Sequence, residues 1–238
     1  MWRLYLGLLA LTIIVLGVIL ALQSLPTSNT STQASTGEGV GSTSFRVEVA
    51  SSSLELSVNW RFIVDEGLFR ELVARIESHS REYPDLLPDD VRVLELLKED
   101  PRIIAILEVN VTLTNMGPES VYVLCGGGYV GLLRSKLMEI LNQHDSGSSC
   151  TYVSVEPVKG EVVRGFMMEL LSLVAWKPEP GGSISNLFYF VTKKPSLEEP
   201  FIAKLHVETG RVCKVYDVNC EYGATSKRLK VIVDIKFG

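Results

Sequence analysis

The residues Gly126-Gly127-Gly128-Tyr129-Val130-Gly131 satisfy G-x-G-x-x-G. Glycines at that spacing let a backbone turn tightly and approach a pyrophosphate at a helix N-terminus. A strand-like run, Val121 to Cys125, precedes the motif and a helix-like run from Val130 follows it, which is the context that chemistry needs. A second strand-like run, Thr151 to Val155, ends at Glu156, whose carboxylate is placed to hold a ribose hydroxyl. Gly126, Gly128, Gly131 and Glu156 are therefore the cofactor-binding candidates. Glu156 stands 25 residues beyond Gly131, however, and the 107 residues after Gly131 hold no second nucleotide signature. The favoured expectation is a glycine turn ordered by the neighbouring Cys125, with no cofactor.

Over about 35 residues this stretch resembles the first βαβ unit of flavin and nicotinamide enzymes. That resemblance implies a membrane-tethered, dinucleotide-dependent oxidoreductase as the alternative function. Other catalytic signals are weak, and no catalytic residue is assigned. His79, His144 and His206 are isolated in sequence, the first two at predicted helix C-termini, where a cation suits the dipole, and the third within a strand. The acidic pairs Asp89-Asp90 and Glu198-Glu199 flank prolines or open a helix and read as solvated turns. Patterns such as G-x-S-x-G, H-E-x-x-H, the P-loop and the D-x-D-x-D calcium loop do not occur.

Cys125, Cys150, Cys213 and Cys220 allow three pairings. Cys213 with Cys220 would close a short hairpin, and Cys125 with Cys150 would tie the glycine turn to the strand after the next helix. No C-x2-C pair supports a thiolate metal site, so no metal is assigned. Two sequons, at Asn29 and Asn110, are glycosylation candidates.

The compartment follows from the first 25 residues. Leu4 to Leu22 is a 19-residue stretch without charge, roughly 28 Å as a helix and close to the ~30 Å hydrocarbon core of a bilayer. Arg3 precedes it and no charge follows until Glu38, so the positive-inside rule leaves the N-terminus in the cytoplasm and the rest outside. An uncleaved signal-anchor fits better than a cleaved signal peptide, because the apolar core is long and the exit Ala21-Leu22-Gln23-Ser24 offers no small-x-small cleavage site. A prepilin-like leader lacks its basic-small pair.

Beyond Pro26 the chain carries 22 basic against 28 acidic residues, a net charge of −6 without a basic tract. Nucleic acid is excluded as a partner, since phosphate neutralisation needs clustered Lys and Arg. Only three glutamines occur, which leans toward a thermophilic source.

The expected organisation is a cytoplasmic stub and transmembrane helix (1–25), a Ser/Thr/Gly-rich flexible tether (26–44) and an extracytoplasmic, disulfide-braced domain (45–238). Alternation at Phe45, Val47, Val49 and at Leu54 to Trp60 predicts strands, as it does over 102–114. Helical spacing marks 65–79, a segment opened by Pro88, and 130–144. Strands are predicted at 151–155, 187–192, 201–207, 211–218 and 229–237, while 161–176 fits either a helix or a buried strand.

Asn115 to Ser120 predicts a turn joining two strands as a hairpin. Within it, Val109-Asn110-Val111-Thr112-Leu113-Thr114-Asn115-Met116-Gly117-Pro118-Glu119-Ser120-Val121 resembles the V-x-V-x-N-x-G-x-x-x-V hairpin of immunoglobulin-like cell-surface modules such as CARDB domains. That resemblance, over residues 109–123, implies a β-sandwich. The expected fold class is α+β, mainly β: an antiparallel β-sandwich-like ectodomain with two or three inserted helices behind one transmembrane helix. The expected function is a binding or structural role in the cell envelope, with the membrane and an envelope protein as partners. An accessory subunit of a membrane complex is a further alternative, and the small-molecule ligand is unassigned.

Overall fold

The computed structural model describes residues 30–33, 39–49, 52–82, 88–100, 102, 104–144, 148–166, 168–196, 198–222, 226 and 228–237. The expected transmembrane helix and the sequon at Asn29 lie outside the described residues. No helix among the described residues is long and apolar enough to cross a membrane.

The fold is mainly β, with antiparallel sheets and few helices. Its centre is a five-stranded antiparallel sheet ordered β2 (Val40–Val49), β3 (Ser52–Ile63), β4 (Ile104–Asn115), β10 (Ser183–Lys193), β8 (Val162–Phe166). Alternation in β4 gives this sheet two buried faces. Leu107, Val109, Val111 and Leu113 point into one core, while Ile104 and Ile106 point into another. The second core is closed by α1 (Glu66–Glu82), α2 (Pro88–Glu99) and α3 (Leu132–Ile140), through Phe69, Leu72, Ile76, Leu94, Leu97, Leu133 and Leu137. Asp65 starts α1 as its N-cap, its carboxylate accepting the amides of Gly67 and Leu68 at 2.8 and 3.1 Å. The helices thus form an outer layer on one sheet, a more specific arrangement than helices inserted in a sandwich.

Against the other face lies a second β layer. One part is the sheet β1 (Thr30–Gln33), β13 (Lys230–Phe237), β11 (Phe201–Thr209), β7 (Thr151–Lys159), called here the outer sheet. The other is the small sheet of β12 (Val212–Cys213), β5 (Tyr122–Val130) and β6 (Ser148–Ser149), with β9 (Met168–Trp176) also paired to β5. Phe201, Leu205, Val207, Val231, Val233 and Ile235 from the outer sheet meet Leu54, Leu56, Val58 and Trp60 from the central one.

Several expectations are corrected. Residues 30–33 and 40–44, assigned by composition to the tether, are in strands: β1 adds parallel to β13, and β2 starts at Val40 opposite Arg61. The expected hairpin of residues 109–123 is an arch between layers. Asn115 builds the turn through Oδ1, which accepts the Gly117 amide, and its Nδ2 donates to the carbonyls of Glu119 and Pro178. The next strand then crosses to the small sheet, while β4 keeps β3 and β10 as neighbours. Residues 161–176 form two strands in different sheets, β8 beside β10 and β9 beside β5. Of the strand predicted over 211–218 only Val212–Cys213 pairs, and α4 (Val218–Tyr222) follows.

Candidate functional site

The glycine motif is strand, not turn. Gly126 and Gly127 are flanked on both sides, by Ser149 and Ser148 of β6 and by Leu173 and Ser172 of β9, and Gly128 pairs with Leu170 past a bulge. Pairing on both edges leaves Gly126 and Gly127 without the open, turned backbone of a phosphate cradle. Gly131 alone links β5 to α3, as an N-cap with φ −55° and ψ 148°. Glu156 lies apart from them in the outer sheet. The structure therefore does not bring the four cofactor candidates together.

Cys125, just before the glycines in β5, is bonded to Cys150, and Cys213 is bonded to Cys220; these are the two pairings favoured from the sequence. Cys150 is the joint between the outer and small sheets. Its amide donates to Asn186 Oδ1 of the central sheet at 3.0 Å, and its carbonyl accepts the Gly210 amide at 2.7 Å. A Cβ on Gly210 would stand 1.8 Å from the Leu124 carbonyl oxygen, so only glycine fits there. Asn110 is half-buried on the central sheet, with Oδ1 inaccessible and unpaired.

A second polar cluster sits where the helical layer ends. Glu108 is almost fully buried and accepts two bonds from Arg61, at 2.7 and 3.0 Å, and one from Gln143 at 2.8 Å. The Tyr189 hydroxyl donates to Gln143. Arg61, Glu108 and Tyr189 are cross-strand neighbours, and Gln143 arrives through the turn ending α3, where Asn142 takes a left-handed φ of 52°. The hydrogen bonds to Glu108 raise the Arg61 pKa further above its ordinary value. Sequence reasoning missed this cluster, although a Glu at the register of Ile104 and Ile106 was a signal that a cation must face it.

The outer sheet presents the remaining chemistry. Alternation in β7, β11 and β13 sends Val153, Leu205, Val207 and Val233 inward and leaves Tyr152, Ser154, Glu156, Lys204, His206, Glu208, Lys230 and Ile232 on the other face. No described element covers that face. His206 Nε2 lies 2.7 Å from Glu156 Oε2. Beside this pair is a shallow cleft of about 250 Å³ lined by Tyr152, Ser154, His206, Glu208, Lys230 and Ile232, among others. Burial pushes the Glu208 carboxyl up, but hydrogen bonds from Arg228 and Lys230 outweigh it and hold its pKa below the ordinary value. The arrangement offers donors, acceptors and an aromatic ring side by side, which suits binding a polar ligand. Among the described residues no group of three His, Cys, Asp or Glu could hold a metal ion. His144 is exposed after α3, and the side chains of His79, Asp89 and Asp90 lie outside those described.

No family model matches the chain, and no curated protein matches it. Among solved structures, the yeast delta-COP-I mu-homology domain aligns at 10% identity over 88% of this chain and 92% of that one, with a TM-score of 0.12, a value that carries no argument.

Proposed function

We propose that the chain is a membrane-anchored, extracytoplasmic module with a binding or structural role in the cell envelope, and that it binds through the uncovered face of the outer sheet. The observation that carries the reading is the pair of disulfides, with no free cysteine among the described residues. Such bonds persist in oxidising compartments and are rare in the cytosol. The 19-residue uncharged stretch Leu4 to Leu22 supports the anchor, and the cleft beside His206 and Glu156 supports a polar ligand or an envelope protein as the partner. An accessory role in a larger membrane complex is compatible with the same face. The dinucleotide alternative finds no support in the paired glycine strand.

The test has two arms. Alkaline carbonate should leave the full chain in the membrane, and a soluble chain beginning near Gln23 would contradict the anchor. A photo-crosslinking residue in place of Lys204, on the open face, should capture a discrete partner in native membranes, whereas one in place of Val64 should not. Equal yields from both positions would remove the outer sheet as the binding face.

A further inference from the structure

We propose that the disulfide-closed loop of residues 214–219 rests on the outer surface of the bilayer, seating Val215, Tyr216 and Val218 at the lipid headgroup boundary. The proposal rests on the membrane anchor of the preceding reading.

Three observations converge on it. The first is exposure: Val215 is 60% exposed, Tyr216 45% and Val218 63%, within four residues of one another. Single exposed apolar residues need no explanation, but a cluster held on a short covalently closed loop marks a contact surface. Cys213–Cys220 fixes the loop, Asp217 Oδ1 accepts the Cys220 amide at 2.9 Å, and Tyr216 stacks on Tyr122 with ring centroids 5.9 Å apart. The apolar side chains are thus presented by a rigid frame.

The second is where the chain enters the fold. Thr30 pairs with Val231, and β1 then runs parallel to β13 toward Asp234. Residues 23–29 are all that separate the end of the anchor from Thr30, so that end of the outer sheet stands within about 28 Å of the membrane at full extension. The same end carries the connection from β11 to β13, because Glu208 pairs with Lys230 there. The loop of residues 214–219 belongs to that connection, so it hangs on the membrane side of the module.

The third is composition. Residues 210–230 hold five basic residues against two acidic in a chain whose net charge is −5, with Lys214 paired to Glu119 and Arg228 and Lys230 to Glu208. A tyrosine set between exposed Val215 and Val218 matches the headgroup region, where aromatic rings sit at the boundary. With most of these cations already paired, it is the three exposed apolar side chains that favour a lipid surface over an acidic protein groove.

The test uses the full chain in nanodiscs of phosphatidylcholine and phosphatidylglycerol, with or without bromine on the acyl carbons nearest the headgroup. Emission is compared between Trp2→Phe and Trp2→Phe with Tyr216→Trp. The difference, which isolates the introduced indole, should fall about twofold or more in brominated lipid. Adding Val218→Asp should restore it. Carbonate extraction of the same discs reads the anchor separately. Retention in the bilayer with an unquenched indole overturns the loop contact and leaves the anchor standing. Release with a quenched indole overturns the anchor and leaves the contact standing, and release without quenching overturns both.

Discussion

Glycine and glutamate act in this molecule through their surroundings rather than through motifs. The G-x-G-x-x-G spacing is the sharpest chemical motif in the chain, yet Gly126 and Gly127 are paired on both strand edges. Gly210, in no motif, is the glycine that the fold cannot replace: a Cβ there meets the Leu124 carbonyl oxygen at 1.8 Å. Gly210→Ala should therefore destabilise by about 3 kcal/mol or more, at or above the usual range for overpacking because the neighbour is backbone. Denaturant unfolding checks this, and a change below about 0.5 kcal/mol, the size of an ordinary surface substitution, would contradict the close approach. Glu108→Ala should cost about 2 to 3 kcal/mol by leaving Arg61 and Gln143 without their acceptor. Glu108→Gln should cost less. Glu208 gives a pH prediction. Its folded-state pKa is lowered, so its stabilisation is fully present above the unfolded value, near 4.5, and is lost as pH falls through the folded one. The thermal midpoint should thus fall more steeply below that pH in the parent chain than in Glu208→Gln, and identical acid profiles would sink the assignment.

Periodicity made most elements legible. The apolar positions of α1, α2 and α3, and the alternation of β3, β4, β11 and β13, follow directly from which side chains face the two cores. Residues 161–176 were ambiguous because their near-continuous apolarity marks neither period clearly, and the segment splits between two sheets. The turn at Asn115 was legible from its residues; its destination was not, since an arch and a hairpin use the same local chemistry. Least visible was β1. Thr30–Gln33 is polar in sequence, and its backbone pairs with the edge of β13. Placing Pro at both Ser31 and Thr32 should detach it, because alternate amides of a strand face the partner and one of the two must lose a bond. Amide exchange at residues 231–234 should then accelerate with little change in thermal midpoint. Unchanged exchange there would contradict the pairing.

At the scale of the molecule, helices cover one face of the central sheet and a second β layer covers the other. The sequence implied a sandwich with helices; it did not imply that the second layer is two sheets hinged at Cys150. That hinge depends on Cys125–Cys150, Asn186 and Gly210 meeting from distant parts of the chain, which no local pattern encodes. The loops closed by the two disulfides span 25 and 7 residue steps, and each bond should stabilise by about 2 to 4 kcal/mol. The central claim, an oxidised domain held outside the cytoplasm by its anchor, is tested most directly by mass spectrometry of the full chain isolated from membranes under a thiol-blocking reagent, without reduction. The account predicts four hydrogens fewer than the reduced chain, no blocked cysteine, and cross-linked peptides joining Cys125 to Cys150 and Cys213 to Cys220. Four blocked thiols, or a stoichiometric zinc ion, would contradict it.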